Sequence, residues 1–93
     1  MKITVSRHAS EPNCAHRRIL DDQGVQIAMM GAEDFAPAYL ATLSGQAQKD
    51  WAAQGSPIEL QIRGRIFFYI LDHPTASPDD VEAYIQTVEL FAT

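Results

Sequence analysis

The stretch IELQIRGRIFFYILD, residues 58–72, limits what this chain can fold into more than any other segment. It is apolar almost throughout, and its most polar point is Arg63-Gly64-Arg65 in the middle. Strands commonly run ~5–6 residues, so this length predicts two strands folded into a hairpin at that tripeptide. Ile58, Leu60, Ile62, Ile66, Phe68 and Ile70 all carry even numbers, and side chains alternate along a strand with period two. A three-residue loop keeps all six on one face, which is then the core face. The opposite face carries Glu59 and Gln61 on the first arm but Phe67, Tyr69 and Leu71 on the second.

The flanking segments supply the remaining elements. Ile3 and Val5 alternate with Thr4 and Ser6, predicting a half-buried strand over 2–8, and His16 to Leu20 reads as a short return strand. Asp21-Asp22 offer N-caps for a helix over 23–36. Its apolar set is Val25, Ala28, Met29, Ala32 and Phe35, ended by Pro37. A second helix is expected over 38–53, with Leu40, Leu43, Ala47 and Trp51 on one stripe and a kink or split at Ser44-Gly45. Gly55 stops it in the left-handed region. Ser77, Pro78 and Asp79-Asp80 open a final helix with a capping residue, a proline at its first position and acids at the positive dipole end. Val81, Tyr84, Ile85, Val88 and Phe91 form its expected buried stripe. The predicted order is β(β)ααββα, class α+β: an antiparallel sheet of three or four strands with two or three helices mainly on one face.

Ninety-three residues, 46% of them hydrophobic, suit one soluble domain spanning 1–93. No apolar run approaches a membrane span, and no secretory signal is readable. Cys14 is the sole cysteine, which points to a reducing compartment and the cytoplasm. The net charge of −5 belongs to the C-terminal segment, where Asp72, Asp79, Asp80, Glu82 and Glu89 stand without a Lys or Arg after residue 65. Direct nucleic-acid binding is not expected, because that needs clustered bases. A solvated acidic helix face is the plain reading of the C-terminal acids; a basic partner, or mimicry of nucleic acid, is the functional one.

The opening MKITVSRHASEP, followed by RRILDDQGVQIA, resembles the start of the histidine phosphatases, the phosphoglycerate-mutase-like superfamily. The resemblance lies in Arg7-His8-Ala9 at a strand end, then Leu20, Gly24 and Ala28 at the spacing with which that family opens its first helix. It covers about the first 28 residues. It implies His8 as the phosphate-accepting nucleophile, Arg7 as a phosphate clamp, and a second histidine after a late strand, a place His73 fills. An imidazole nitrogen is a competent nucleophile at neutral pH, and a guanidinium offers a planar fork to phosphate oxygens.

Other chemistry is sparse. His8, Cys14, His16 and His73 include zinc-ligand types, but their spacing matches no standard zinc pattern, so neither a metal nor another cofactor is expected. Arg63 and Arg65 flank the expected hairpin tip, either as a probe for an acidic partner or as a polar turn that keeps the hairpin soluble. Phe67, Tyr69 and Leu71 would form an apolar patch on the sheet face away from the core, calling for a protein partner or a second copy. The sequence therefore points to a small cytoplasmic, non-enzymatic binding or regulatory protein, of inhibitor or accessory type. Phe67, Tyr69, Leu71, Arg63 and Arg65 are its interface, and a homodimer is one form of the contact. The alternative is a phosphoryl-transfer enzyme, or a decayed relative of one, using Arg7, His8 and His73.

Overall fold

Among the described residues, three antiparallel strands come first and all the helices follow. In the computed structural model, which describes residues 1–7 and 15–91, strands β1 (Thr4–Ser6), β2 (His16–Leu20) and β3 (Gln26–Gly31) form a sheet of order β1-β2-β3. A 3-10 turn, Ala32–Phe35, leads into α1 (Pro37–Ala41), α2 (Gly45–Ala52), α3 (Pro57–Asp72) and α4 (Pro78–Ile85). The class is α+β, with element order βββαααα rather than the expected β(β)ααββα. His8 and Cys14 lie outside the described residues.

The expected helix over 23–36 is instead the second arm of a hairpin. Asp21 Oδ1 accepts from the backbone N–H groups of Gln23 and Val25, each at 2.9 Å. Gly24 takes φ +82°, and Asp21 N–H donates to the Val25 carbonyl at 2.8 Å. This side-chain-backed turn reverses the chain, and β3 then pairs with β2 through Arg17↔Met30, Arg18↔Met29 and Ile19↔Ala28. Met30 is buried and Met29 is exposed, the reverse of the helical stripe.

The largest correction concerns residues 58–72, which form one helix and no hairpin. Ser56 Oγ accepts from Glu59 N–H at 3.4 Å, Glu59 Oε2 accepts from Ser56 N–H at 2.7 Å, and Pro57 occupies the first turn. This reciprocal cap fixes the start of α3. Ile58, Ile62 and Ile66, spaced by four, are its buried face. A spacing of four is even, so strand parity and helical periodicity agree on these three residues.

The expected helix over 38–53 divides at Ser44, whose hydroxyl accepts from Ala47 N–H at 3.2 Å and caps α2. Gly55, at φ +97°, turns the chain into α3. The final helix opens as expected: Ser77 Oγ accepts from Asp80 N–H, Asp80 Oδ2 accepts from Ser77 N–H, and Pro78 follows the cap. It closes at Ile85, and the last core residue is Leu90, not Phe91.

One apolar cluster joins the inner sheet face to the helices. Ile3, Ile19 and Met30 meet Phe35, Leu40, Trp51, Ile58, Ile62, Ile66, Val81, Ile85 and Leu90. On the other sheet face Ile27 and Met29 are exposed beside Arg18. Among the described residues, no helix is long and apolar enough to cross a membrane.

Candidate functional site

Helix α3 is apolar nearly all round, a pattern that normally belongs to a helix covered on every side. Its inner face fills the core. Its outer face carries Leu60, Phe68 and Leu71, which are 39%, 68% and 61% exposed, with Gly64 between them. At 100° per residue, Leu60, Gly64, Phe68 and Leu71 fall within about 80° of one another. They form one stripe along the helix.

The C-terminal segment adds a wall to this stripe. Gln61 Nε2 donates to the Phe91 carbonyl at 3.0 Å, and Phe91 N–H donates to Gln61 Oε1 at 2.8 Å. The amide therefore holds both backbone groups of Phe91, as a neighbouring strand would. The phenyl ring is nonetheless 79% exposed. Leu60, Gly64, Arg65, Phe68, Tyr84 and Phe91 line a groove of about 440 Å³ with Gln61 at its edge. Nothing lies within 4 Å of where a Cβ on Gly64 would stand, so the floor is open. Arg65 is exposed at the rim.

Of the residues singled out from sequence, Phe67 and Leu71 line one groove, while Tyr69, Arg63 and Arg65 lie apart from them. Phe67 and Tyr69 are half-buried and Leu71 is exposed, so no shared sheet face exists to display them together. Phe67 and Leu71 line a second apolar groove with Leu40, Trp51 and Ile70, about 190 Å³ in volume. Tyr69 lies in a three-ring stack, 4.3 Å from Tyr84 and 4.2 Å from His73 between centroids. Arg63 is buried rather than at a hairpin tip. Its Nη2 donates to Asp34 Oδ2 at 3.3 Å, and its guanidinium carbon lies 5.4 Å from the centre of the Trp51 ring. Asp34 also accepts from Trp51 Nε1 at 2.8 Å and from Gly31 N–H at 3.0 Å.

Arg7 faces carboxylates. Its Nη2 donates to Asp79 Oδ1 and to Glu82 Oε2. Hydrogen bonding to Glu82 and then to Asp79 raises its pKa further above the ordinary arginine value. Glu82 also accepts from Arg17 Nε at 3.0 Å. Two of the C-terminal acids are thus neutralised by Arg7 and Arg17, and a third, Glu89, accepts from the Met1 ammonium at 2.8 Å. Asp79, Glu82 and Glu89 therefore have basic partners within their own chain, while Asp72 and Asp80 have no ion-pair partner among the described residues. The Leu20, Gly24 and Ala28 spacing lies on the β2–β3 hairpin instead of opening a helix. His73 caps α3, its Nδ1 3.0 Å from the Tyr69 carbonyl. Among the described residues there is no cluster of three or more potential metal-ligating side chains.

Sequence reasoning missed Leu60, Phe68, Phe91 and Gln61 as a group. The signal for the first two was present: once α3 is drawn as a helix, its outer stripe follows from spacing alone. The Gln61–Phe91 tie spans 30 positions and has no sequence signature. Comparisons with protein-family models, curated proteins and solved structures return no match.

Proposed function

We propose that this chain is a small, non-enzymatic binding protein that works through protein–protein contact, with the outer face of α3 and Phe91 as its contact surface. The supporting observation is the exposure of Leu60, Phe68 and Leu71 on a well-capped helix, beside a Phe91 whose backbone Gln61 holds in place. Each such side chain left in water forgoes roughly 1.5–3 kcal/mol of burial. Large aromatic side chains held in one place before binding are the usual anchors of an interface, because little freedom is lost on association. The contact residues are therefore Leu60, Phe68, Leu71 and Phe91, with Arg65 at the rim; Leu71 and Arg65 belong also to the set expected from sequence, whereas Phe67 and Tyr69 are half-buried and Arg63 is buried. Through this contact it acts as an inhibitor or accessory factor.

Photo-cross-linking in cells tests it. A benzophenone amino acid replacing Phe68 is expected to give discrete protein adducts, and the same probe at exposed Thr87 is expected not to give them. A folded chain with no adduct specific to position 68 overturns the proposal.

A further inference from the structure

We infer that the α3 face receives a second copy of this chain, as an antiparallel α3–α3 pair on a two-fold axis at Gly64. The inference rests on reading that face as a contact surface and adds its occupant. A two-fold contact needs a patch complementary to itself, and this one is palindromic. Leu60 stands four residues before Gly64 and Phe68 four residues after it. Rotation about Gly64 lays Leu60 on the second copy's Phe68, and Phe68 on the second copy's Leu60. Leu60, Gly64 and Phe68 form an i±4 ridge, the kind that interdigitates with a like ridge at a crossing angle of about 50°. The smallest residue sits at the crossing, with empty space where a side chain would project. The two helix axes can therefore approach closely there.

The available area agrees. Leu60, Phe68, Leu71 and Phe91 are 39%, 68%, 61% and 79% exposed. With large side chains presenting ~150–250 Å² each, they offer on the order of 500 Å² per copy. Gln61, Arg65 and Tyr84 at the rim extend this towards the ~800 Å² per partner of a standard interface. Arg65 has no ion-pair partner among the described residues, and its symmetry mate is the like-charge neighbour this pairing creates. That contact should weaken the dimer modestly, which makes Arg65 diagnostic.

The test is sedimentation velocity on the purified full chain from micromolar to submillimolar concentration. Wild type is expected to pass from one chain to two as concentration rises. Gly64→Lys should weaken association by roughly tenfold or more, as loss of a central contact does. It should stay folded by circular dichroism, because lysine favours a helix over glycine and the site is open. Arg65→Gln should tighten the dimer several-fold, and added salt should have the same effect on wild type by screening the two arginines. A wild-type chain that stays single throughout overturns the inference, as does a dimer that Gly64→Lys leaves intact. If position-68 adducts in cells fall at another mass while the purified chain stays single, the contact surface stands and its occupant is a different protein. If neither adducts nor a dimer appear, both readings fail.

Discussion

Asp34 and Arg63, 29 positions apart, meet beneath the helices with their side chains 10% and 7% exposed. Asp34 enters on the 3-10 turn after β3, and Arg63 enters on α3. The carboxylate also takes the Trp51 indole N–H, so one buried acid ties the end of the sheet to α2 and α3. Arg63 Nε is buried and has no partner of its own among the described residues. The cluster is therefore sensitive to loss of its acid.

Asp34→Ala should lower stability by ~3–5 kcal/mol, because it leaves a buried guanidinium uncompensated. The check is urea unfolding followed by Trp51 fluorescence, with a large fall in midpoint expected. Asp34→Ala/Arg63→Met should recover much of the loss, since an apolar replacement of both partners leaves no orphaned charge. A double variant no better than the single would show that the pair contributes more than mutual neutralisation.

Glu82→Gln should cost ~3 kcal/mol, at the low end for a broken buried pair. Glu82 serves Arg17, which is buried, and Arg7, whose side chain is 44% exposed. Asp79→Asn, at an acid whose side chain is 79% exposed, should change stability by less than about 1 kcal/mol. Thermal unfolding of the two variants side by side measures the contrast.

The glycines should separate by backbone geometry. Gly64→Ala adds a methyl group in open space on a helix and should stabilise the monomer by ~0.5–1 kcal/mol. Gly24→Ala forces an alanine to φ +82° in the hairpin turn and should cost ~1–2 kcal/mol. Opposite signs in chemical denaturation are the expected outcome.

Glu89 should titrate below the usual glutamate range, because the Met1 ammonium donates to its carboxylate and attracts it. A carboxyl whose pKa falls on folding contributes stability above its unfolded value and loses it as pH drops through the folded value. The stabilising effect is therefore full at neutral pH and fades on acidification. A carbon-detected NMR titration gives the midpoint, and Nα-acetylation should move it back up by removing the ammonium charge.

The resemblance to histidine phosphatases leads to an activity assay. Arg7 Nη2 is engaged by Asp79 and Glu82, so a phosphate approaching this guanidinium would meet the repulsion of two carboxylates. No turnover of an aryl phosphate is expected. Turnover that His8→Ala abolishes would reverse that expectation.

Much of the fold was written in capping grammar, and it was read unevenly. Ser77-Pro78 followed by Asp80 announces α4, and Ser56-Pro57 followed by Glu59 announces α3 in the same way. The second signal was masked by even-numbered hydrophobics that satisfy strand and helix alike. At Asp21-Asp22 the ambiguity ran the other way, because an aspartate that can cap a helix can equally nucleate a turn, and Gly24 decides for the turn. Strands β1 and β2 and the break at Ser44 were legible. The proposed contact face was not, because strand period puts Phe68 in the core and Phe67 on the outer face, whereas on the helix Phe68 is exposed and Phe67 half-buried.

Glu82 joins Arg17 and Arg7, 65 and 75 positions earlier in the chain. During vectorial synthesis the sheet emerges first, and its inner face has to await Val81 and Ile85, which the ribosome has not yet made. The core over the strands cannot close until α4 arrives, so maturation should be concerted and late. A nascent chain stalled before residue 82 should remain open to proteases.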